Sequence, residues 1–205
     1  MFHLIVASAN RHKLDELQAL LSPRGIVVQA QKDWNVRSVE ETETTFVGNA
    51  LLKARHAAKQ TKQWSLADDS GIVVEVLNGA PGVYSARFAG LNATDHENNV
   101  KLISELRPHR QPWRAYYVAA LVLVSPDEGV VPIVAQAEWH GTIIETPRGS
   151  NGFGYDPYFV PDGEVRTAAE MLTSEKNVVS HRAQALRLLL EKWPSALDLQ
   201  TSHDA

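Results

Sequence analysis

Asp68-Asp69-Ser70-Gly71 sets two carboxylates, a hydroxyl and a glycine in succession, between a predicted strand at Ser65–Ala67 and a second apolar run, Ile72-Val73-Val74. Adjacent carboxylates repel one another until a proton or a cation relieves them. Strand ends in α/β sheets are where ligands bind. A hard divalent ion such as Mg²⁺ takes oxygen ligands and brings substrate phosphates with it. The same four residues also suit a solvated turn, because Asp, Ser and Gly all favour turns. The tetrapeptide alone does not separate the two readings.

Four other places carry chemistry. Ser8-Ala9-Asn10 lies between a predicted strand, Leu4–Ala7, and a helix over Lys13–Leu21. Such a turn points backbone N–H groups and a partial positive charge outward, and Lys13 lies where it can reach an anion there. The alternative is plain helix capping by Ser8 or Asn10; the glycines and Lys-Ser/Thr pair of a Walker loop are missing. Lys53 sits within a second predicted helix, Thr45–Thr61, after an acidic stretch whose Glu40 or Glu41 could join the aspartates around a metal or remain solvated. In the loop Gly152–Pro157, two glycines bracket Phe153, and Tyr155 and Asp156 follow. That pattern allows close backbone approach and a ring for a base to stack on, or else an aromatic-rich β-turn. Lys176, His181 and Arg182 gather at the predicted entry to the last helix, where basic residues disfavour the helix itself and so imply an anionic partner.

The elements that position these residues alternate strand and helix early in the chain. A β-rich pair, Ala115–Ser125 and Val130–His140, reads as an antiparallel hairpin later on. The expectation is an α/β fold with a mixed central sheet flanked by helices, in two lobes with an active-site cleft between them. Residues 1–193 are read as a single domain and 194–205 as a loose tail. The 205 residues, 44% hydrophobic and 21% charged, are those of an ordinary globular protein. A net charge of −4 leaves no basic footprint for nucleic acid, and any anionic ligand must be met by locally concentrated cations. With no cysteine there is no disulfide, thiolate metal site or thiol nucleophile, which fits a cytoplasmic protein. No segment resembles an export signal or a membrane span.

Six blocks stand in order: Ser8-Ala9-Asn10-Arg11-His12-Lys13; Thr45-Phe46-Val47-Gly48-Asn49-Ala50 with Lys53-Ala54; Ala67-Asp68-Asp69-Ser70-Gly71; Pro81–Arg87; Gly152–Pro157; and Ser180-His181-Arg182. Together they resemble the inosine triphosphate / xanthosine triphosphate pyrophosphatase family, from Ile5 to about Leu190. The resemblance implies a Mg²⁺-dependent hydrolase that splits ITP, dITP and XTP into nucleoside monophosphate and pyrophosphate. It makes Asp69 the general base and a metal residue beside Asp68, and Ser8, Ala9, Asn10, Arg11, His12 and Lys13 a phosphate-binding turn. Ser70, Phe153, Gly154, Tyr155, Asp156, Lys176, His181 and Arg182 become nucleotide contacts. It also implies a homodimer with a long central sheet. Two positions depart from the pattern: Ser8-Ala9 stands where the family often has Thr-Gly, and Gly48 where it often has Glu.

Lys13, Lys53, Lys176 and Arg182 would then share one task, meeting a triphosphate. Donors at His181 or Arg182 would select the carbonyl at position six of hypoxanthine or xanthine against the amino group of adenine. Alternatives are a nucleotide-binding regulator without hydrolysis and a related pyrophosphatase acting on pyrimidine or modified nucleotides. A phosphomonoesterase lacks support, because its Asp-x-Asp spacing is absent.

Overall fold

A computed structural model describes residues 2–194; the expected loose tail, except Pro194, lies outside the described residues. The main elements are β1 (Phe2–Val6), α1 (Arg11–Leu21), β2 (Ile26–Ala30), α2 (Phe46–Thr61), β3 (Ser65–Val74) and α3 (Asp95–Leu106), then β4 (Trp113–Val124), β5 (Ile133–Ile143), β6 (Phe159–Pro161), α4 (Thr173–Val179) and α5 (His181–Glu191). The strands form one six-stranded sheet in the order β2-β1-β3-β4-β5-β6. β1 runs parallel to β2 and β3, whereas β5 and β6 are antiparallel, so the sheet is mixed as expected. Residues 125–132 link the neighbours β4 and β5, and a parallel crossover would need about a dozen residues or more.

The chain divides into two compact units. One comprises the chain up to Asp69, Ala120–Gln136 and the chain from Ala185; the other comprises Ser70–Ala119 and Ala137–Gln184. In the first, the side chain of Asn10 caps α1 by accepting from the Lys13 amide, and Leu14, Leu17 and Leu21 bury one face. Thr45 caps α2 in the same way through the Gly48 amide. The buried face of α2 is mostly alanine, and Ala50, Ala54, Ala57 and Ala58 pack with Ile5, Ala67 and Val122. Small side chains let the helix lie close to the strands and hold Lys53 near β3. The second unit has an aromatic core, in which Trp113, Tyr117, Trp139 and Phe159 pack with Ile72, Leu102 and Leu106. The capping box of α3, Thr94 with Glu97, forms as its sequence pattern requires.

One expectation is corrected. Asp68-Asp69 does not end a strand: β3 runs unbroken from Ser65 to Val74, and Glu75–Leu77 forms a 3-10 turn. The carboxylates are tolerated within the strand because each has a lysine partner. Gly71 is there for space, since a Cβ would collide with Ser85 Oγ and the Gly82 carbonyl. Lys176, read as lying at the entry to the last helix, is carried by a separate short helix, α4, which ends before Ser180.

Candidate active site

In the first unit, a charged cluster is built around Asp68 and Asp69, in the middle of β3. Lys13, from the first turn of α1, places Nζ 2.7 Å from Asp68 Oδ1, whose side chain is fully buried. Lys53, from the middle of α2, places Nζ 2.7 Å from Asp69 Oδ1 and 2.8 Å from Glu41 Oε1. Lys53 also donates to the Asp68 carbonyl. The repulsion inherent in adjacent carboxylates is thus relieved by two ammonium groups from two helices. Burial pushes the Asp69 carboxyl above its ordinary value, and the Lys53 and Lys13 charges offset this only in part. Burial would lower Lys53, but the Asp69 and Glu41 carboxylates outweigh it and hold the ammonium above its usual value.

The second unit begins with Ser70, the next residue on β3. Ser70 Oγ accepts from Arg182 Nη2 at 3.0 Å, and Arg182 is 1% exposed. The Arg182 guanidinium and the Lys176 ammonium lie 5.9 and 5.0 Å from the centre of the Phe153 ring, within the range of cation–π attraction. Asp156 organises this group: Oδ2 accepts from Lys176 Nζ at 2.6 Å and from the Phe153 amide at 3.0 Å, while Oδ1 accepts from the Tyr117 hydroxyl at 3.1 Å. Tyr117 in turn stacks on the His181 ring, 4.7 Å between centroids and 6° from parallel. Burial, then the adjacent Asp156 charge, pushes the Tyr117 hydroxyl well above its ordinary range, so it stays a donor. Tyr155 is likewise pushed up by burial, and its hydroxyl donates to the Ser85 carbonyl.

The expected site residues therefore fall into two groups, one in each unit, and Asp69 and Ser70 are consecutive members of them. Around Ser8–Lys13, capping by Asn10 is what the backbone shows, and the Asn10 amide donates to Ser8 Oγ at 3.1 Å. Ala9 is not among the positive-φ residues, so replacing glycine there strains nothing. Arg11 is exposed and pairs with Asp15, and His12 is exposed. Glu41 joins the cluster, whereas its neighbour Glu40 is exposed. Asp156 and Lys176 bind each other, and Gly154 accepts from Asn99 and donates to Asp95.

Among the described residues, no three His, Asp or Glu side chains are grouped to hold a metal on their own. Lys53 bridges Glu41 and Asp69 instead. The donors nevertheless fit a hard cation: Asp69 Oδ2 is buried and has no hydrogen-bond partner among the described residues, which is a costly state for a carboxylate oxygen unless a ligand completes it.

Sequence reasoning missed the contributions of Tyr117, Ser85 and the Lys53 bridge. Tyr117 meets Asp156 and His181 only through tertiary packing; its sole mark in the sequence is an aromatic residue within a buried strand.

This is a mixed α/β protein that carries lysine-clamped carboxylates in one unit and a buried arginine beside an aromatic ring in the other. A model of the Ham1 family matches residues 4–192, and the chain belongs to that family. It is 45% identical to the dITP/XTP pyrophosphatase of Shewanella oneidensis over 190 residues, 93% of each chain. It is 46% identical to the dITP/XTP pyrophosphatase of Escherichia coli K12 over 192 residues, 93% of this chain and 98% of the other. The solved structure of a HAM1 protein from Coxiella burnetii superposes with a TM-score of 0.86 at 44% identity, covering 94% of this chain and all of the other.

Proposed function

We propose that this protein hydrolyses deaminated purine nucleoside triphosphates, ITP, dITP and XTP, to the nucleoside monophosphate and pyrophosphate. The observation that carries the reading is the buried Asp69, whose Oδ1 is clamped by Lys53 and whose Oδ2 has no partner among the described residues. The names of the relatives and the order of the sequence blocks support it. Residues 1–193 would act as one catalytic domain, in the cytoplasm and as a homodimer, with neither nucleic acid nor membrane as partner. Among the described residues, no helix is long and apolar enough to cross a membrane.

Asp69, with Asp68 or Glu41 beside it, would hold Mg²⁺. The ion, when bound, would supply charge neutralisation at the leaving pyrophosphate. Asp69 would accept a proton from a water whose oxygen bonds to the α-phosphorus; the bond from that phosphorus to the α,β-bridging oxygen breaks, the bridging oxygen and the bonding pair depart with pyrophosphate, and the monophosphate keeps the water oxygen. The elevated affinity of Asp69 for a proton suits that role better than an ordinary aspartate would. Lys53 fixes the orientation of Asp69, as Lys13 fixes that of Asp68. The Ser8–Lys13 turn, which carries the Lys13 ammonium, would receive phosphate.

The base would meet the residues that follow Asp69. Phe153 is the half-buried ring on which it stacks, backed by Lys176 and Arg182. Arg182 and His181 are buried, which makes donors at the start of α5 readers of the position-six carbonyl without competing water. A site built on a hydrogen bond rejects the amino group of adenine strongly, because its buried donor is then left unpaired.

The test is Asp69→Asn. It keeps the shape of the side chain, so folding should persist by circular dichroism, while turnover of ITP should fall by about 10²–10⁴ or more, the range for loss of a positioned base. Near-normal turnover would remove Asp69 from the chemistry.

A further inference from the structure

A cavity of about 510 Å³ opens in the first unit beside the Ser8–Ala9 turn, and its far wall is made by Lys32, Asn35, Arg37 and Ser38. That volume is in the range of small-ligand sites. Its lining holds two cationic side chains and no acidic one. The wall is well tied. Gln31–Trp34 is a 3-10 turn closed by Asn35 in the left-handed conformation, φ 57°, with the Asn35 amide donating to the Gln31 and Lys32 carbonyls. The Val36 amide returns to the Gln31 carbonyl at 3.1 Å, buried Gln31 donates to Ser38 Oγ at 3.0 Å, and His56 Nε2 lies 3.1 Å from the Arg37 carbonyl. Lys32 and Arg37 thus project from a fixed backbone.

The distribution of charge gives this cavity its significance. Lys13 and Lys53 are engaged with Asp68, Asp69 and Glu41. Among the described residues, no ion pair holds Lys32 or Arg37. Departing pyrophosphate is a polyanion, and cations already matched by buried carboxylates compensate it poorly.

We infer that this cavity is the docking site of the two terminal phosphates, with Lys32 and Arg37 as their cationic contacts and product pyrophosphate as its ligand. The inference rests on the hydrolytic reading above and extends it to residues that no sequence block singled out. The cavity is lined by Ser8 and Ala9 of the turn proposed above to receive phosphate, together with Lys32 and Arg37. Guanidinium and ammonium groups are the fitting donors for phosphate oxygens.

The experiment uses the full chain and the double variant Lys32→Ala/Arg37→Ala, both solvent-facing changes that a thermal melt should show to be folded. Pyrophosphate inhibition of ITP hydrolysis should weaken at least tenfold in the double variant, KM for ITP should rise, and inhibition by IMP should stay within twofold. Lys32→Arg/Arg37→Lys, which keeps both charges, should restore pyrophosphate inhibition. Unchanged pyrophosphate inhibition, or equal loss of IMP and pyrophosphate inhibition, would overturn the assignment. If the native protein hydrolyses no purine triphosphate, the parent reading fails separately. Calorimetric titration of inorganic pyrophosphate then decides the cavity by itself: binding to the native chain and at least tenfold weaker binding to the double variant support it, and no difference refutes it.

Discussion

At the scale of the residue, the account turns on how one carboxylate is held. Asp69 is raised by burial and restrained by lysine, so its protonation should govern the acidic side of activity. Between the ordinary aspartate value and the raised one, the folded chain holds a proton that the unfolded chain has released. This group therefore contributes stability that is lost as pH rises through that window. Activity, which needs the ionised form, should rise through the same window. Lys53→Met removes the strongest charge restraining Asp69, and the acidic limb of the kcat/KM profile should move upward by on the order of 1–3 pH units. A limb that stays in place would show that another group controls it. The types of Asp68, Asp69, Lys13 and Lys53 were legible in the sequence, but the clamp was not. Lys13 reaches the Asp68 backbone 55 positions away, and nothing local records which cation meets which carboxylate. For the same reason Glu40 and Glu41 were indistinguishable as neighbours, whereas side-chain direction separates them once α2 is packed.

At the scale of the element, the loop 152–157 and the helix α4 are joined by a buried ion pair, Lys176 with Asp156, whose side chains are 6% and 3% exposed. Removing one partner leaves a charge stranded. Lys176→Met should cost about 3–5 kcal/mol of unfolding free energy and loosen Phe153, whose amide hangs on the same Asp156 oxygen as the ammonium. Denaturant unfolding with nucleotide-binding measurements checks both; an unchanged midpoint would mean that the pair contributes no net stability. β3 offers a second test. Gly71→Ala forces a Cβ into Ser85 Oγ and the Gly82 carbonyl, and overpacking of this kind costs about 1–3 kcal/mol, visible as a lower melting temperature. Turn propensity misreads this segment in the sequence. Asp, Ser and Gly favour turns when solvated, but here lysines neutralise the carboxylates and Gly71 serves close approach, so the strand continues. Helices α1 and α2 were readable because their caps and apolar spacing are local; α4 escaped because a helix of Thr173–Val179 has too few turns to show a periodic face.

At the scale of the molecule, the net charge is −4, yet cations are concentrated locally: Lys13 and Lys53 in one unit, Lys176 and Arg182 in the other. The units change over between Asp69 and Ser70, so the proposed base and the first residue of the base-reading group are joined by a single peptide bond. The order of the sequence blocks made this overall plan recognisable, because each block survives as a short run of residues; the division into discontinuous units did not show, because it arises from strands that serve both. The most direct measurement is product analysis on a panel of ITP, dITP, XTP, ATP, GTP, UTP and dTTP, with Mg²⁺ and with chelator. The account predicts Mg²⁺-dependent release of pyrophosphate and monophosphate, with ITP, dITP and XTP turned over at least a hundredfold more efficiently than ATP, the order of discrimination that a buried donor can supply. Orthophosphate as the product, metal-independent release, or equal turnover of ATP and ITP would contradict it.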